Sequence, residues 1–325
     1  MIRFTRIATF ALPAALLACV GLTAGTAHAD TFVRMVSGPA GGSWYPLGAK
    51  IMAAEQDGIK GIQTSNGPGG GVGNVRHVDS GSAELGWTFG FTAYNGYAGV
   101  GKFKKKHPNV RYFTTLYPGV IQTAVPASSS IKSYADLKNK RLSPGKVIFS
   151  GNVIFERLIK LYGFTYDSVK AAGGIIERVG FKDSVALMKD GHIDSYTALT
   201  DAPNASFIAL DFQPGIRLLP IEPEIAKKFL KQNPGFFPYT IKAGTYKHIT
   251  HDVHTLASAT VLIINKNVSN ELAYKLVKVF WQNHDALAQV NKSWNHVRLA
   301  DALRGAAIPV HPGVMKYYKE VGVAK

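Results

Sequence analysis

The chain has 325 residues, 37 Lys and Arg against 21 Asp and Glu, a formal charge of +16 and an apolar share of 46%. That composition is ordinary for a globular protein, and the length exceeds the usual span of one core, so two lobes are expected. The lysines are scattered, and the one cluster, Lys102-Phe103-Lys104-Lys105-Lys106, reads as a solvated turn, which argues against a nucleic-acid partner.

Arg3 and Arg6 precede an apolar stretch at 7–20 and then Ala27-His28-Ala29. This is the charged, apolar, small-residue order of a secretory leader, too short for a membrane anchor. Cleavage after Ala29 is expected, giving a periplasmic chain that begins at Asp30. Cys19, after Leu16-Leu17-Ala18, is the alternative as a lipidated first residue. It is the only cysteine, so no internal disulfide is available by either route. Loss of Arg3 and Arg6 lowers the charge from +16 to +14. The excess suits an ordinary export protein, attraction of small anions, or contact with an anionic membrane surface, and charge alone does not separate these.

Strand-like apolar runs fall at 32–36, 61–64, 85–88, 110–116, 119–125, 175–179, 193–199, 216–221 and 260–264. Helical periodicity falls at 44–56, 153–162, 182–189, 222–231 and 270–282. The alternation predicts an α/β fold with mainly parallel sheets. Breaker clusters after Val120 and at Asn233-Pro234-Gly235-Phe236-Phe237-Pro238 suggest that the chain leaves the first lobe and later returns. Two such crossovers make a hinge, with a cleft that closes on a ligand.

Two glycine-rich turns follow early strands: Ser37-Gly38-Pro39-Ala40-Gly41-Gly42-Ser43-Trp44-Tyr45-Pro46-Leu47-Gly48 and Asn66-Gly67-Pro68-Gly69-Gly70-Gly71-Val72-Gly73-Asn74. Each leads into helical periodicity, which puts unpaired backbone N–H groups and partial positive charge where an anion is favoured. Ser37, Ser43 and Asn74 are side-chain donors there, or helix caps. Trp44, Tyr45, Trp87, Phe89, Phe91 and Tyr94 supply core rings or pocket walls.

Neither turn fits a dinucleotide motif: counted from Gly67, Gly69 or Gly71, the third glycine position holds Val72, Asn74 or Arg76. No P-loop ending, Gly-x-Ser-x-Gly elbow, His-Glu-x-x-His or Cys-x-x-Cys occurs. His248, His251 and His254 recur every three residues, yet the β-branched residues between them disfavour a helix that would converge the imidazoles. They read as a loop before the strand from Thr260, with a metal site as the lesser alternative. No cofactor is expected.

The leader followed by Gly41-Gly42-Ser43-Trp44-Tyr45-Pro46-Leu47-Gly48 resembles the opening of TAXI-family solute receptors of TRAP transporters. The likeness continues in order through Val72-Gly73-Asn74-Val75-Arg76, Ile131-Lys132-Ser133-Tyr134-Ala135-Asp136-Leu137-Lys138-Asn139-Lys140-Arg141, Asp190-Gly191-His192-Ile193-Asp194, Ala202-Pro203-Asn204 and Ile241-Lys242-Ala243-Gly244-Thr245-Tyr246. The resemblance implies a two-lobed periplasmic binding protein of the type II fold, not an enzyme. Such a receptor captures a small organic anion between its lobes and delivers it to a TRAP permease driven by an ion gradient. The expected division is 1–29 leader, 30–124 with 237–325 as lobe 1, and 125–236 as lobe 2, in a monomer.

The candidate ligand contacts are Ser37, Gly41, Gly42, Ser43, Trp44, Tyr45, Gly71, Asn74, Phe89, Ser150, Asn152 and Thr200. Three departures bear on specificity: Phe89-Gly90-Phe91 stands where relatives often carry Gln-Ser-Asp, Gly71 where a Ser is common, and Phe149-Ser150-Gly151-Asn152 where Gly-Ser-Gly is usual. They suggest a carboxylate held at one end and a less polar body than a dicarboxylate or amino acid. Rival readings are a receptor of the same fold serving an ABC transporter or a sensor, an exported hydrolase, and a charged adhesion module.

Overall fold

The computed structural model describes residues 31–325. The expected leader, its cleavage site and Cys19 lie outside the described residues. Among the described residues there are ten strands: β1 (Thr31–Val36), β2 (Ile62–Gly67), β3 (Leu85–Phe89), β4 (Val110–Pro126), β5 (Arg141–Ser143), β6 (Ile175–Ile176), β7 (Ser195–Thr200), β8 (Ile216–Leu218), β9 (Phe236–Ile241) and β10 (Val253–Asn265). Between and after them come α1 (Trp44–Gly58), α2 (Gly71–Ser80), α3 (Gly90–Ala98), α4 (Ser150–Leu161), α5 (Tyr166–Ala171), α6 (Phe181–Lys189), α7 (Ala205–Phe212), α8 (Pro223–Gln232), α9 (Asn270–Gln282), α10 (His284–Ala288) and α11 (Pro312–Glu320).

The strands order as β2-β1-β3-β10-β4-β7-β5-β6, with β8 on β4 and β9 on β10. Each flank is parallel: β1 pairs with β2 and β3, and β5 with β6 and β7. The middle is antiparallel, β10 against β3 and β4, and β4 against β7. Parallelism is therefore confined to two halves, and two long strands join them. This corrects the expectation of mainly parallel sheets.

The predicted strands 110–116 and 119–125 are one strand of 17 residues. Pro118 does not end it, because β10 stays opposite at Ala259 and the register shifts just beyond, between Ala259 and Val261. A proline lacks a ladder donor and is tolerated at such irregularities. On one side of this point β4 runs beside β10 through Thr115, and on the other Val120 begins pairing with β7. Pro238 likewise sits in β9, an edge strand paired only with β10 among the described residues, so the breaker cluster 233–238 runs into a strand. With β9 alongside, β10 starts at Val253, well before the predicted 260.

Helix α9 matches its predicted bounds because apolar residues repeat along one face, with Ser269 capping Leu272 N–H. Helix α4 starts earlier than predicted, at Ser150. The largest core packs the β1–β3 flank against α1 and α9 around a run of rings: Trp44 lies 5.6 Å from Trp87, which lies 6.4 Å from Trp294. Trp87 and Trp294 are fully buried, so each anchors the first half by several kcal/mol, about 3–5 on truncation to alanine.

Candidate functional site

The strands of both halves end at a shared space, and helices start there. A cavity of about 30 Å³, room for one water-sized group, is lined by Gly42, Ser43 and Trp44 at the start of α1, Gly70 and Gly71 at α2, Ser150 and Gly151 at α4, and Phe181 at α6. Four helix N-termini from both halves thus converge. The first-turn N–H groups of a helix have no intrahelical acceptor, and the aligned peptide dipoles add partial positive charge. None of the lining residues carries a charged side chain. The rest of the lining includes Phe89 at the end of β3, Phe149, and residues 197–200 at the end of β7.

The first turn is shaped by Gly41, whose φ of +86° few side chains adopt, and by close contact with the other half. Ser206 Oγ donates to the Gly41 carbonyl at 3.0 Å. Ser43 Oγ donates to Asp201 Oδ1 at 2.8 Å. Asp201 is fully buried and also accepts from Thr200 Oγ1 at 2.8 Å, Asn204 Nδ2 at 3.0 Å and, on its other oxygen, Asn291 Nδ2 at 2.8 Å. Tyr117 OH lies 3.2 Å from Ser43 Oγ, and burial, with Asp201 nearby, holds its hydroxyl well above the usual tyrosine range. It stays a neutral partner to Ser43.

The second turn meets the far half even more closely. Val72 and Gly73 N–H both donate to the Ile148 carbonyl, at 3.1 and 3.3 Å, so this helix N-terminus already holds a carbonyl oxygen. Ser150 Oγ is 2.9 Å from Thr92 Oγ1. A Cβ on Gly71 would stand 2.3 Å from Ser150 Oγ, and one on Gly70 would stand 2.4 Å from the Phe149 ring. Glycine at position 71 therefore has a packing reason: the halves approach through it.

Of the twelve residues singled out from sequence, Gly42, Ser43, Trp44, Gly71, Phe89, Ser150 and Thr200 line the cavity. Gly41 adjoins it. The other four stand apart. Ser37 is buried and donates to the Gly67 carbonyl at 3.1 Å. Asn74 is buried, donating to the carbonyls of Val36, Ser37 and Trp87 and accepting from Gly70 N–H at 3.0 Å. It ties both glycine turns to β3 and has no amide hydrogen left to offer. Asn152 donates to the Gly145 carbonyl at 2.9 Å. Tyr45 is 39% exposed and does not line the cavity. Of the flagged aromatics, Trp44, Trp87, Phe89 and Phe91 are buried in a row of rings, with Trp44 tilted 4.9 Å from Phe89, whereas Tyr94 is half exposed.

Sequence reasoning missed Asp201, Asn204 as a ligand of that carboxyl, Asn291, Phe149 and Phe181. An aspartate directly after a β7 strand end, followed by Pro203-Asn204, was the available signal. The three histidines diverge: His248 Nδ1 is 3.0 Å from the Asp211 carbonyl, His254 Nδ1 is 3.1 Å from Thr240 Oγ1, and His251 is exposed. Among the described residues no three His, Cys, Asp or Glu side chains gather as metal ligands. No described helix is long and apolar enough to cross a membrane.

The NMT1-like family matches residues 35–322. Among solved structures, the chain is similar to the alkanesulfonate-binding protein SsuA from Xanthomonas axonopodis pv. citri bound to MOPS, at 15% identity and a TM-score of 0.51, over 89% of this chain and 84% of that one. It is also similar to a structure described as a periplasmic transporter, at 13% identity and a TM-score of 0.53, over 90% and 93% of the two chains. At these identities the likeness speaks to fold alone, and the fold is the two-lobed, type II periplasmic binding-protein arrangement.

Proposed function

The chain belongs to the NMT1-like family, and from that membership, its two-lobed fold and the convergence of helix N-termini we propose that it is a periplasmic receptor, not an enzyme. It captures a small organic anion between its lobes and hands it to a membrane permease. The observation that carries this reading is the set of four helix N-termini, two from each half, around an uncharged cavity, of which α2 holds the Ile148 carbonyl and α1, α4 and α6 are left to meet a ligand. An oxyanion there accepts N–H donors without an opposing lysine or arginine, at roughly 1.5–3 kcal/mol for each well-aligned bond to charge. Gly41, Gly42, Ser43, Trp44, Gly71, Phe89, Ser150 and Thr200 are the proposed contacts, with Ser37, Asn74 and Asn152 holding the turns behind them.

The expected lobes, 30–124 with 237–325 and 125–236, need moving: Ile241, Tyr246, Ile249, Val253 and Ala257 pack in one core with Tyr196 and Phe207, so we place the crossovers near 118 and 258. The register shift between Ala259 and Val261, opposite Pro118, supports a flexing point within the joining strands. We further propose that the ligand is a carboxylate with a weakly polar body, that the receptor is exported and monomeric, and that it serves a TRAP permease driven by an ion gradient. A sulfonate is an oxyanion of the same kind, so both classes belong in the test.

Native mass spectrometry of freshly purified protein, followed by denaturing release, should recover a small organic acid. Thermal-shift screening should find stabilisation by aromatic or branched monocarboxylates. Stabilisation by glutamate or 2-oxoglutarate alone would overturn the weakly polar body. Saturable turnover of esters or amides would overturn the receptor reading. Uptake into vesicles carrying the permease should follow a sodium or proton gradient, and dependence on ATP would replace TRAP with an ABC transporter.

A further inference from the structure

A second and much larger space lies on the other side of the Phe89 ring. Phe89 lines the small cavity, Phe91 lines the large one, and their rings stack at 6.1 Å. The large groove has a volume of about 1220 Å³, enough for a drug-sized molecule. Its walls are α3, α4, the turn before β9, the joining strands near Pro118 and Ser258, and the segment 295–307. It therefore opens between the halves, as the small cavity does, and is not part of the ring of helix N-termini.

Three features say what would fill it. The first is aromatic surface: Phe91 packs on Phe236 at 4.8 Å, and the Tyr94 and Phe237 rings, 50% and 38% exposed, stand in the same walls. The second is Arg157 on α4. Its Nη1 donates to Asn233 Oδ1 at 2.8 Å, and among the described residues no carboxylate pairs with it. The nearest acid in sequence, Glu156, is held by Lys102 at 2.7 Å and Lys160 at 3.6 Å. Burial lowers the Arg157 pKa from its ordinary value, and the charge of Glu156 offsets only part of that effect. The third is Ser258, fully buried in the groove floor, whose Oγ has no hydrogen-bond partner. By contrast Arg298 and Arg304 in the rim are both paired with Asp301 at 2.5 Å.

We propose that this groove is a second binding site, for an amphipathic organic anion whose carboxylate or sulfonate pairs with Arg157 and whose aromatic or branched body lies between Phe91, Tyr94 and Phe236. A planar guanidinium offers two parallel N–H bonds to such a head group, and a buried hydroxyl gains a partner. The site is independent of the receptor reading, because it shares no contact with the helix-terminus cavity.

The test is calorimetric titration with 4-phenylbutanoate and with its uncharged analogue 4-phenylbutan-1-ol. The acid should bind the native protein at least tenfold more tightly than the alcohol. Arg157→Gln should remove that preference and leave the alcohol unchanged. Lys160→Glu, at an exposed position on the same wall, should weaken the acid several-fold even if Arg157→Gln fails to fold. Ser43→Ala removes the helix-terminus contact, which an aromatic acid also fits, and in that background the effects of Arg157→Gln and Lys160→Glu should persist in full. Equal binding of acid and alcohol, no binding of the acid at millimolar concentration, or sensitivity to Ser43→Ala with none to Lys160→Glu would overturn the proposal. A small acid whose binding responds to Ser43→Ala and not to Arg157→Gln reports the helix-terminus site instead.

Discussion

Ser43 and Asp201 join the two halves through one hydrogen bond of 2.8 Å, from the hydroxyl at the start of α1 to a fully buried carboxyl after β7. Three further donors, Thr200, Asn204 and Asn291, surround the same carboxyl. An acceptor supplied by the protein thus stands at the helix N-terminus where an anion is favoured.

Asp201→Ala should strand these donors in a buried place, where each lost partner costs about 1–3 kcal/mol. We expect a lower Tm and a larger radius of gyration by small-angle scattering, since Ser43 and Asn291 approach Asp201 from outside β7. Asp201→Asn should fall between, keeping the volume but presenting an amide donor to donors. An unchanged radius and Tm for the alanine variant would sink the latch.

Gly71→Ala tests the approach of α2 to α4. Its methyl would stand 2.3 Å from Ser150 Oγ, and overpacking of this kind costs about 1–3 kcal/mol. Binding of any small acid found by mass spectrometry should weaken by tenfold or more. Gly71→Ala with Ser150→Ala removes the offending oxygen, and affinity should partly return. Failure of the pair to recover relative to the single variant would argue against an interlobe contact.

Asn74→Ala removes three donated bonds and the acceptor for Gly70 N–H without touching the cavity wall. We expect a loss of about 2–4 kcal/mol in urea unfolding together with weaker ligand binding, because both turns lose their tie to β3. Full stability with intact binding would refute the support role.

Glu55, on the buried face of α1, has neither carboxyl oxygen hydrogen-bonded, and burial holds its pKa well above the usual carboxylate range. The folded state therefore keeps its proton after the unfolded state has lost it. Stability falls as pH rises above the ordinary carboxylate value, and levels off beyond the folded one. Glu55→Gln should raise Tm at pH 7, and the gain should vanish below about pH 4. A gain that persists at acid pH would point to packing instead of charge.

The legible parts of this fold are those where pattern and local chemistry agree. Helix α9 has both an apolar stripe and a serine cap, and β1 and β3 are short runs rich in apolar residues, the second leading straight into a helix. Strands β5 and β9 were not legible: one is three residues long, and the other follows a Pro-Gly breaker and carries Pro238. Within the site, glycine spacing marked Gly42, Ser43 and Gly71, because a helix start needs those residue types locally. Asn74 has the same local marking, yet its amide turns inward to three carbonyls that come from separate strands and turns.

The sequence by itself determined the alternation of strand and helix, the two glycine turns at helix starts and the absence of nucleotide and thiol motifs, since each depends on neighbours within a few residues. Only the tertiary structure decided that β4 and β10 run through both halves, that four helix N-termini face one another, and that Asp201 meets Ser43 at 158 positions' remove. It alone also opened the groove beside Arg157. The physical reason is that burial and the pairing of donors with acceptors depend on which distant surfaces come together, and residue periodicity carries no record of that.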